Sequence, residues 1–187
     1  MSPEAIEHLR ASDKTMARLI QQVGACTLKP KNRRQPFEAL VTAVTHQQLN
    51  GTAAMTILKR VLALYPGRRF PTPVDLINTP DETLRSAGLS RAKTAAIKDI
   101  AAKAIEGVVP TSAAIRKLSD AEILERLTSV RGVGPWTVEM LLIFTLGRKD
   151  VLPVSDYGVR KGFAITYGWK ELPTPKELAE YGRRWSP

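Results

Sequence analysis

Along most of this chain the apolar residues recur with the helical period, and that repeat limits the fold more than any other feature. Between Pro36 and Leu49, the positions Phe37, Leu40, Val41, Val44, Gln48 and Leu49 follow the i, i+3, i+4, i+7 rule, which buries one face of a helix. Thr52 to Leu64 repeats the pattern through Ile57, Leu58, Val61 and Leu64. Ser90 stands as N-cap to a helix whose inner face is Ala96, Ile97, Ile100, Ala101 and Ala104 and which stops before Gly107. Shorter helices are expected over Glu122 to Thr128, Pro135 to Leu146, Tyr157 to Ile165 and Pro175 to Tyr181, and Met1 to Gly24 reads as one helix. Alternating strand-like runs are nearly absent. Only Asp150-Val151-Leu152-Pro153-Val154 looks extended, and its proline argues against a central strand. An all-α chain follows, with short linkers carrying turn chemistry at Pro66-Gly67, Pro71-Thr72-Pro73, Thr79-Pro80, Val109-Pro110-Thr111 and Gly147 to Asp150.

With 187 residues, 43% of them hydrophobic, the chain can bury a core as a single domain of two helical lobes. The expected division lies near Gly107, residues 30–107 forming one lobe and 1–29 plus 108–187 the other, with a cleft between lobes as the natural ligand site. Lys and Arg number 28 against 18 Asp and Glu, a formal charge of +10, which favours a polyanionic partner and nucleic acid above a membrane surface. No helix separates a strongly basic face from a continuous apolar one, as a membrane-surface helix would. The single cysteine, Cys26, has no partner for an internal disulfide, and no Cys/His cluster has zinc or iron–sulfur spacing, so neither a side-chain metal site nor an iron–sulfur cluster is expected. With no leader-like start and no stretch of transmembrane length, a reducing, intracellular location is expected.

The most informative stretch is Leu127-Thr128-Ser129-Val130-Arg131-Gly132-Val133-Gly134-Pro135-Trp136-Thr137. One helix ends, two glycines flank an aliphatic residue, and a proline takes the first position of the next helix, where a missing N–H costs nothing. Glycine lets the backbone approach a ligand, and the start of the next helix directs N–H groups and a positive dipole end outward. A phosphate would fit there. A tight helix–helix turn without a ligand is the alternative.

This stretch resembles the helix-hairpin-helix of the DNA glycosylase superfamily that bears that name, and Val151-Leu152-Pro153-Val154-Ser155-Asp156 resembles the family's Gly/Pro-rich loop and aspartate. Asp156 lies 20 residues beyond Trp136, the spacing of the 3-methyladenine DNA glycosylase II branch. Thr45-His46-Gln47-Gln48-Leu49 and Gly88-Leu89-Ser90-Arg91-Ala92-Lys93 agree as well, and the four motifs occur in the family's order over residues 14–185. The resemblance implies two all-α lobes with the active site in the cleft between them.

Breaking an N-glycosidic bond through an oxocarbenium-like sugar calls for a carboxylate that stabilises developing positive charge and orients water. Asp156 is the residue assigned to that role, although an aspartate ahead of Tyr157-Gly158-Val159-Arg160 also reads as a plain helix N-cap. The rival carboxylates are Asp150, in a charged turn, and Glu139, inside an apolar helix. By the resemblance, Trp136 stands where bifunctional members carry a lysine nucleophile, so no Schiff base and no strand cleavage is implied. Its ring can stack on an extruded base and attract a cationic alkylated purine, or it can be a core residue at a helix start. The resemblance puts Trp136, Met140 and Gln48 at the base pocket, Met140 at a position where relatives often have an aromatic.

Gln47-Gln48-Leu49-Asn50-Gly51 reads locally as a helix C-cap with Asn50 or Gly51 left-handed. In the family this loop inserts an apolar wedge into the duplex. Leu49 matches the wedge, Asn50 and Gln48 would meet minor-groove edges, and Leu49 as a core residue is the alternative. Ser90, Arg91 and Lys93 put two cations at a helix start, where the dipole disfavours them and a phosphate would relieve the conflict; a solvated turn is the alternative. Phosphate contacts are assigned to Gly132, Val133, Gly134, Thr137, Ser90, Arg91 and Lys93, with the basic Lys29 to Arg34 loop adding non-specific attraction. The family hairpin often holds Na+ or K+ through backbone carbonyls, which in this chain would be those of Thr128, Val130 and Val133.

The resemblance implies a monofunctional glycosylase of base excision repair, a monomer on double-stranded DNA, cytoplasmic and nucleoid-associated in a bacterium or nuclear in a eukaryote. It would release alkylated purines such as 3-methyladenine and 7-methylguanine, with 1,N6-ethenoadenine a further candidate, and leave an abasic site. The competing class is a non-catalytic helix-hairpin-helix protein that binds DNA structure. Ser155 stands where many relatives have a second acid. Relatives continue past the segment matching Tyr181 to Pro187 into a helix that brings an aromatic to the base pocket, so either another residue completes the pocket or that helix lies beyond this sequence.

Overall fold

The computed structural model describes residues 3–30 and 34–186. In chain order the helices are α1 (Pro3–Ser12), α2 (Lys14–Val23), α3 (Pro36–His46), α4 (Gly51–Ala63), α5 (Pro73–Asn78), α6 (Asp81–Ser86), α7 (Arg91–Ile105), α8 (Ser112–Ile115), α9 (Asp120–Thr128), α10 (Pro135–Leu141), α11 (Tyr157–Tyr167) and α12 (Pro175–Gly182). A π-helical turn covers Leu142–Leu146 and a 3-10 turn Arg183–Trp185. The all-α expectation holds, since no strand occurs among the described residues. Nor is any helix among them long and apolar enough to cross a membrane.

The chain divides into two compact units, Met1–Pro30 with Gly147–Pro187, and Lys31–Leu146. The second boundary therefore falls at Gly147 and not near Gly107. The reason is packing: α9 lies on α10 and α10 on α3, which ties the hairpin between α9 and α10 to the helices of residues 31–146.

Within Lys31–Leu146, α7 is the central element, with α3 and α5 packed against it. Its Ala96, Ile97, Ile100 and Ala101 are buried, and Leu40, Val44, Leu76, Leu84, Ile115, Ile123 and Leu127 complete a core with essentially no exposure. Each such Leu or Ile contributes about 1.5–3 kcal/mol by leaving water. Three stretches expected to be linkers start helices. Thr72 and Asp75 form a reciprocal capping box with Pro73 in the first turn, so α5 begins inside the Pro-Thr-Pro sequence. Pro80 stands at the N-cap of α6 without a side-chain cap bond, and Thr111 caps α8 by accepting from the Ala114 N–H. The apolar run expected to be helical from Pro135 to Leu146 leaves the α-helical path at Leu142 and widens into the π turn.

In the other unit, Met1 to Gly24 is not one helix. The break is at Asp13, whose extended backbone ends α1 and whose carboxylate accepts from the N–H groups of Thr15 (2.8 Å) and Met16 (3.0 Å) to cap α2. The same carboxylate accepts from Tyr167 Oη (2.9 Å), Trp185 Nε1 (3.2 Å) and Tyr181 Oη (3.3 Å). Around it Phe163, Tyr167, Tyr181 and Trp185 form one aromatic cluster, the Phe163 and Tyr167 rings stacked at 4.5 Å. Burial opposes the charge on Asp13, but the donors that converge on it outweigh burial and lower its pKa. Burial, then the Asp13 contact, raises the Tyr167 pKa.

Candidate functional site

The turn between α9 and α10 is built on α7. Gly132 has φ +76°, a left-handed conformation that disfavours any side chain, and a Cβ there would lie 2.8 Å from the Ala96 Cβ. Beside it, the Arg131 N–H donates to Asp99 of α7 at 2.8 Å. Gly134 is different: its backbone is extended (φ −94°, ψ 173°) and it serves as N-cap to α10, with Pro135 in the first turn. Two of the expected phosphate donors serve the hairpin internally, the Val133 N–H on the Val130 carbonyl at 3.1 Å and the Thr137 N–H on the Gly134 carbonyl at 2.9 Å. Thr137 is itself buried.

Trp136 follows on the first turn of α10 and is 41% exposed, so the core alternative for it fails. One turn on, Met140 lines a cavity of about 170 Å³ between α3 and α10, together with Arg34, Thr42, His46, Thr137 and Phe144. A cavity of about 150 Å³ is enough to admit a benzene ring, so this one is on the scale of a small flat ligand. The His46 Nδ1 lies 2.8 Å from the Thr42 carbonyl.

The segment between α3 and α4 differs from its expected form. Neither Asn50 nor Gly51 is left-handed; Gln48 is, with φ +56°. Asn50 has extended backbone and accepts from the Ala53 N–H at 2.8 Å, starting α4 and leaving the loop too short for a glycine-type helix end. Leu49, at the tip, is 39% exposed, which removes the core alternative for it as well. Gln48 and Asn50 are exposed on either side. Gln47, which nothing in the sequence singles out, extends its Nε2 to the Gly132 carbonyl (2.9 Å) and the Thr137 hydroxyl (3.3 Å).

Ser90 caps α7 through the Lys93 N–H, as expected, and both Ser90 and Arg91 are exposed. Lys93 is not directed to solvent. Its Nζ donates to the carbonyls of Thr45 and Gln47, both at 2.8 Å, and burial lowers its pKa. Of the basic loop, Lys31, Asn32 and Arg33 lie outside the described residues, while Lys29 is exposed.

In the other unit, two tight turns deliver Asp156. The Val154 N–H reaches back to the Leu152 carbonyl (2.8 Å), and the Asp156 N–H to the Pro153 carbonyl (3.0 Å), which gives the segment that looked extended in sequence a folded path. Asp156 is half-buried and N-caps α11, Oδ1 accepting from the Val159 N–H at 2.8 Å. Gly158 leaves space beside that oxygen, since a Cβ there would approach Oδ1 to 3.1 Å. Of the rivals, Asp150 is exposed and accepts from the Ser186 hydroxyl, and Glu139 is half-buried on α10. Among the described residues no group of three His, Cys, Asp or Glu is placed to hold a metal ion. The carbonyls of Thr128, Val130 and Val133 are hard, neutral oxygens near the negative end of α9, a donor set that suits an alkali cation.

Residues 41–187 match the family described as the HhH-GPD superfamily base excision DNA repair protein. A DNA-3-methyladenine glycosylase 1 of Schizosaccharomyces pombe is 36% identical over 183 residues, 96% of this chain and 79% of that protein. The solved structure of the fission-yeast 3-methyladenine DNA glycosylase in complex with abasic DNA superposes with a TM-score of 0.87 at 35% identity, covering 98% of this chain and 90% of that one. A DNA-3-methyladenine glycosidase structure from Bacillus halodurans gives a TM-score of 0.88 at 33% identity, covering 100% and 83%.

Proposed function

Because this chain belongs to the HhH-GPD superfamily of base excision DNA repair proteins, we propose that it is a monofunctional DNA glycosylase. It hydrolyses the N-glycosidic bond of alkylated purines after base flipping and leaves an abasic site. The observation that carries this reading is Asp156, a half-buried carboxylate fixed by main-chain bonds through both its own N–H and its Oδ1. The fission-yeast relative at 36% identity and the Bacillus halodurans one at 33%, both named for 3-methyladenine, support the substrate class.

The chemistry needs little from the protein beyond that carboxylate. An N3-alkylated adenine or N7-alkylated guanine carries positive charge, so when the C1′–N bond breaks the electron pair leaves with a base that departs neutral, and no general acid is required. Asp156 stabilises the oxocarbenium-like sugar and orients a water, whose oxygen bonds to C1′ while its proton passes to the carboxylate or to solvent. 1,N6-Ethenoadenine, which is uncharged, is the slower substrate on this account. Trp136 stacks on the extruded base, with Met140 and Gln48 completing its pocket, and a tryptophan at this position supplies no amine for strand cleavage. Leu49 fills the gap left in the duplex, with Asn50 at the minor groove. Phosphates are held at the Gly132 and Gly134 backbone and at Ser90 and Arg91, the Val133 and Thr137 N–H groups and the Lys93 ammonium being engaged within the protein. A monovalent cation on the Thr128, Val130 and Val133 carbonyls would supply one more positive charge in the hairpin. The protein acts as a monomer on double-stranded DNA, in a nucleoid or a nucleus.

A non-catalytic DNA-structure-binding role is favoured by one fact: the cap bond to Val159 is by itself a reason for Asp156. Substitution by asparagine separates the two, because asparagine caps a helix as well as aspartate does. Free bases released from methylated duplex DNA are measured by mass spectrometry. Wild type releases alkylated purines, and Asp156→Asn lowers the rate by about 10²–10⁴-fold. Wild-type binding with no base released overturns the enzymatic reading, and undiminished release by Asp156→Asn overturns the role of the carboxylate.

A further inference from the structure

We propose that Lys93 and Gln47 are positioning residues that clamp the Gln48-Leu49-Asn50 loop, so that the hairpin and the exposed Leu49 tip act as one rigid piece. The proposal rests on the wedge role given to Leu49 above.

The Lys93 ammonium donates to two carbonyls, those of Thr45 and Gln47, each at 2.8 Å. Those carbonyls belong to the last turn and the C-cap of α3, the negative end of its dipole, where a cation is favoured. A lysine in the first turn of α7 is disfavoured by α7's own dipole. A phosphate is thus not needed to explain it; the end of α3 supplies the compensating charge. From the other side, the Gln47 side chain donates to the Gly132 carbonyl at 2.9 Å and to the Thr137 hydroxyl at 3.3 Å, both part of the hairpin.

Between these anchors the backbone does something unfavourable. Gln48 adopts φ +56°, the only non-glycine left-handed residue among those described. Such a conformation persists only where the surroundings over-determine it. The chain is held on one side by the Gln47 carbonyl on Lys93 and on the other by the Asn50 side chain, which caps α4. The strained residue sits next to Leu49, whose side chain is thereby kept exposed and not folded back onto the protein. A site presented this way loses little freedom when it is used.

A phosphate contact and a clamp predict different salt behaviour. Each phosphate contact contributes about one unit to the slope of log K against log salt. Binding of undamaged duplex is therefore measured over a salt series for wild type, Lys93→Met, Lys93→Arg, Gln47→Glu and, as reference, Arg91→Met. Wedge insertion is read from 2-aminopurine fluorescence beside an abasic-site analogue at saturating protein, and thermal unfolding checks folding. Lys93→Met, which removes charge-assisted bonds, and Gln47→Glu, which turns the Nε2 donor into an acceptor facing the Gly132 carbonyl, are expected to keep the wild-type slope and to lower the equilibrium constant for insertion about tenfold. Lys93→Arg, which keeps the donors, restores insertion, and Arg91→Met lowers the slope. Gln47 makes its bonds near the surface, so Gln47→Glu reports even if Lys93→Met unfolds. A slope lowered by about one in Lys93→Met, or wild-type fluorescence in Gln47→Glu, overturns the clamp. Neither readout requires base release, so a chain that binds DNA without releasing bases sinks the enzymatic reading and leaves this test standing.

Discussion

Asp13 and Asp156 lie in the same compact unit and do the same local job, each capping the helix that follows it. Their surroundings set them apart. Asp13 is 8% exposed and takes hydrogen bonds from two main-chain N–H groups, two tyrosines and a tryptophan. Asp156 is half-buried, follows a pair of tight turns, and has glycine in place of a side chain two residues on. A carboxylate enclosed by donors on every side is a structural anion, whereas one fixed by the main chain and left within reach of solvent can meet a ligand. The cap alone identifies neither; how far the carboxylate is enclosed decides.

Exchange of the two residues' roles by mutation is the most direct way to break the contrast. Asp156→Asn carries the largest effect, the 10²–10⁴-fold loss of base release given above, with a change in unfolding free energy below about 0.5 kcal/mol because the cap is kept. Asp13→Ala should do the reverse. It removes a cap and the shared acceptor of the half-buried Tyr167, Tyr181 and Trp185, so chemical denaturation should show a loss of about 2–3 kcal/mol, while base release per folded molecule stays at the wild-type level.

Titration sharpens the same contrast. The Asp13 pKa is lowered in the folded state, so its contribution is present above the usual carboxylate value of 3.8 and is lost as pH falls through the lower, folded value. Tyr167 has the opposite sense for an acid. Its folded pKa is raised above 10.0, so stability declines once pH passes 10 and the unfolded chain alone ionises. Thermal midpoints measured across the acid limb should show it flattened in Asp13→Asn. The smallest effect is expected from Gly158→Ala. Alanine favours the helix by up to about 1 kcal/mol but crowds the Asp156 Oδ1 at 3.1 Å, so the protein should melt slightly higher and release base about threefold more slowly.

Much of the fold was legible because helices announce themselves through apolar spacing, and α3, α4, α7, α9 and α11 lie close to where that spacing puts them. The departures have physical causes. The sequence around Asp13 contains no glycine or proline, so nothing in the pattern marks the break, and only the capping preference of aspartate hints at it. The π turn lies in a run that is apolar on every side, where periodicity gives no signal. Helices α5 and α8 begin at prolines and threonines that read equally well as turns. For the candidate site, the hairpin, Leu49, Trp136 and Asp156 were visible as residue types at a spacing, and their exposure was not. Gln47 and Asp99 carried no signal, since their partners are 85 and 32 residues away. Lys93 was noticed for the right reason, a cation at a helix start, and its actual partners lie 46 and 48 residues back in the chain.

The placement of the indole rings has an optical consequence. The chain holds three tryptophans, and Trp136 is the one within Lys31–Leu146, while Trp169 and Trp185 belong to the other unit. Trp185 is hydrogen-bonded to Asp13 inside the aromatic cluster, whereas Trp136 faces water over 41% of its surface. Trp169 is nearly as exposed, at 39%, so the drier, shorter-wavelength emission belongs to Trp185, and Trp136 shares the longer-wavelength component with Trp169. With Trp169 and Trp185 replaced by phenylalanine, the remaining signal comes from the ring assigned to stack on the base, so the protein carries a fluorophore at the position where a bound nucleobase would quench it.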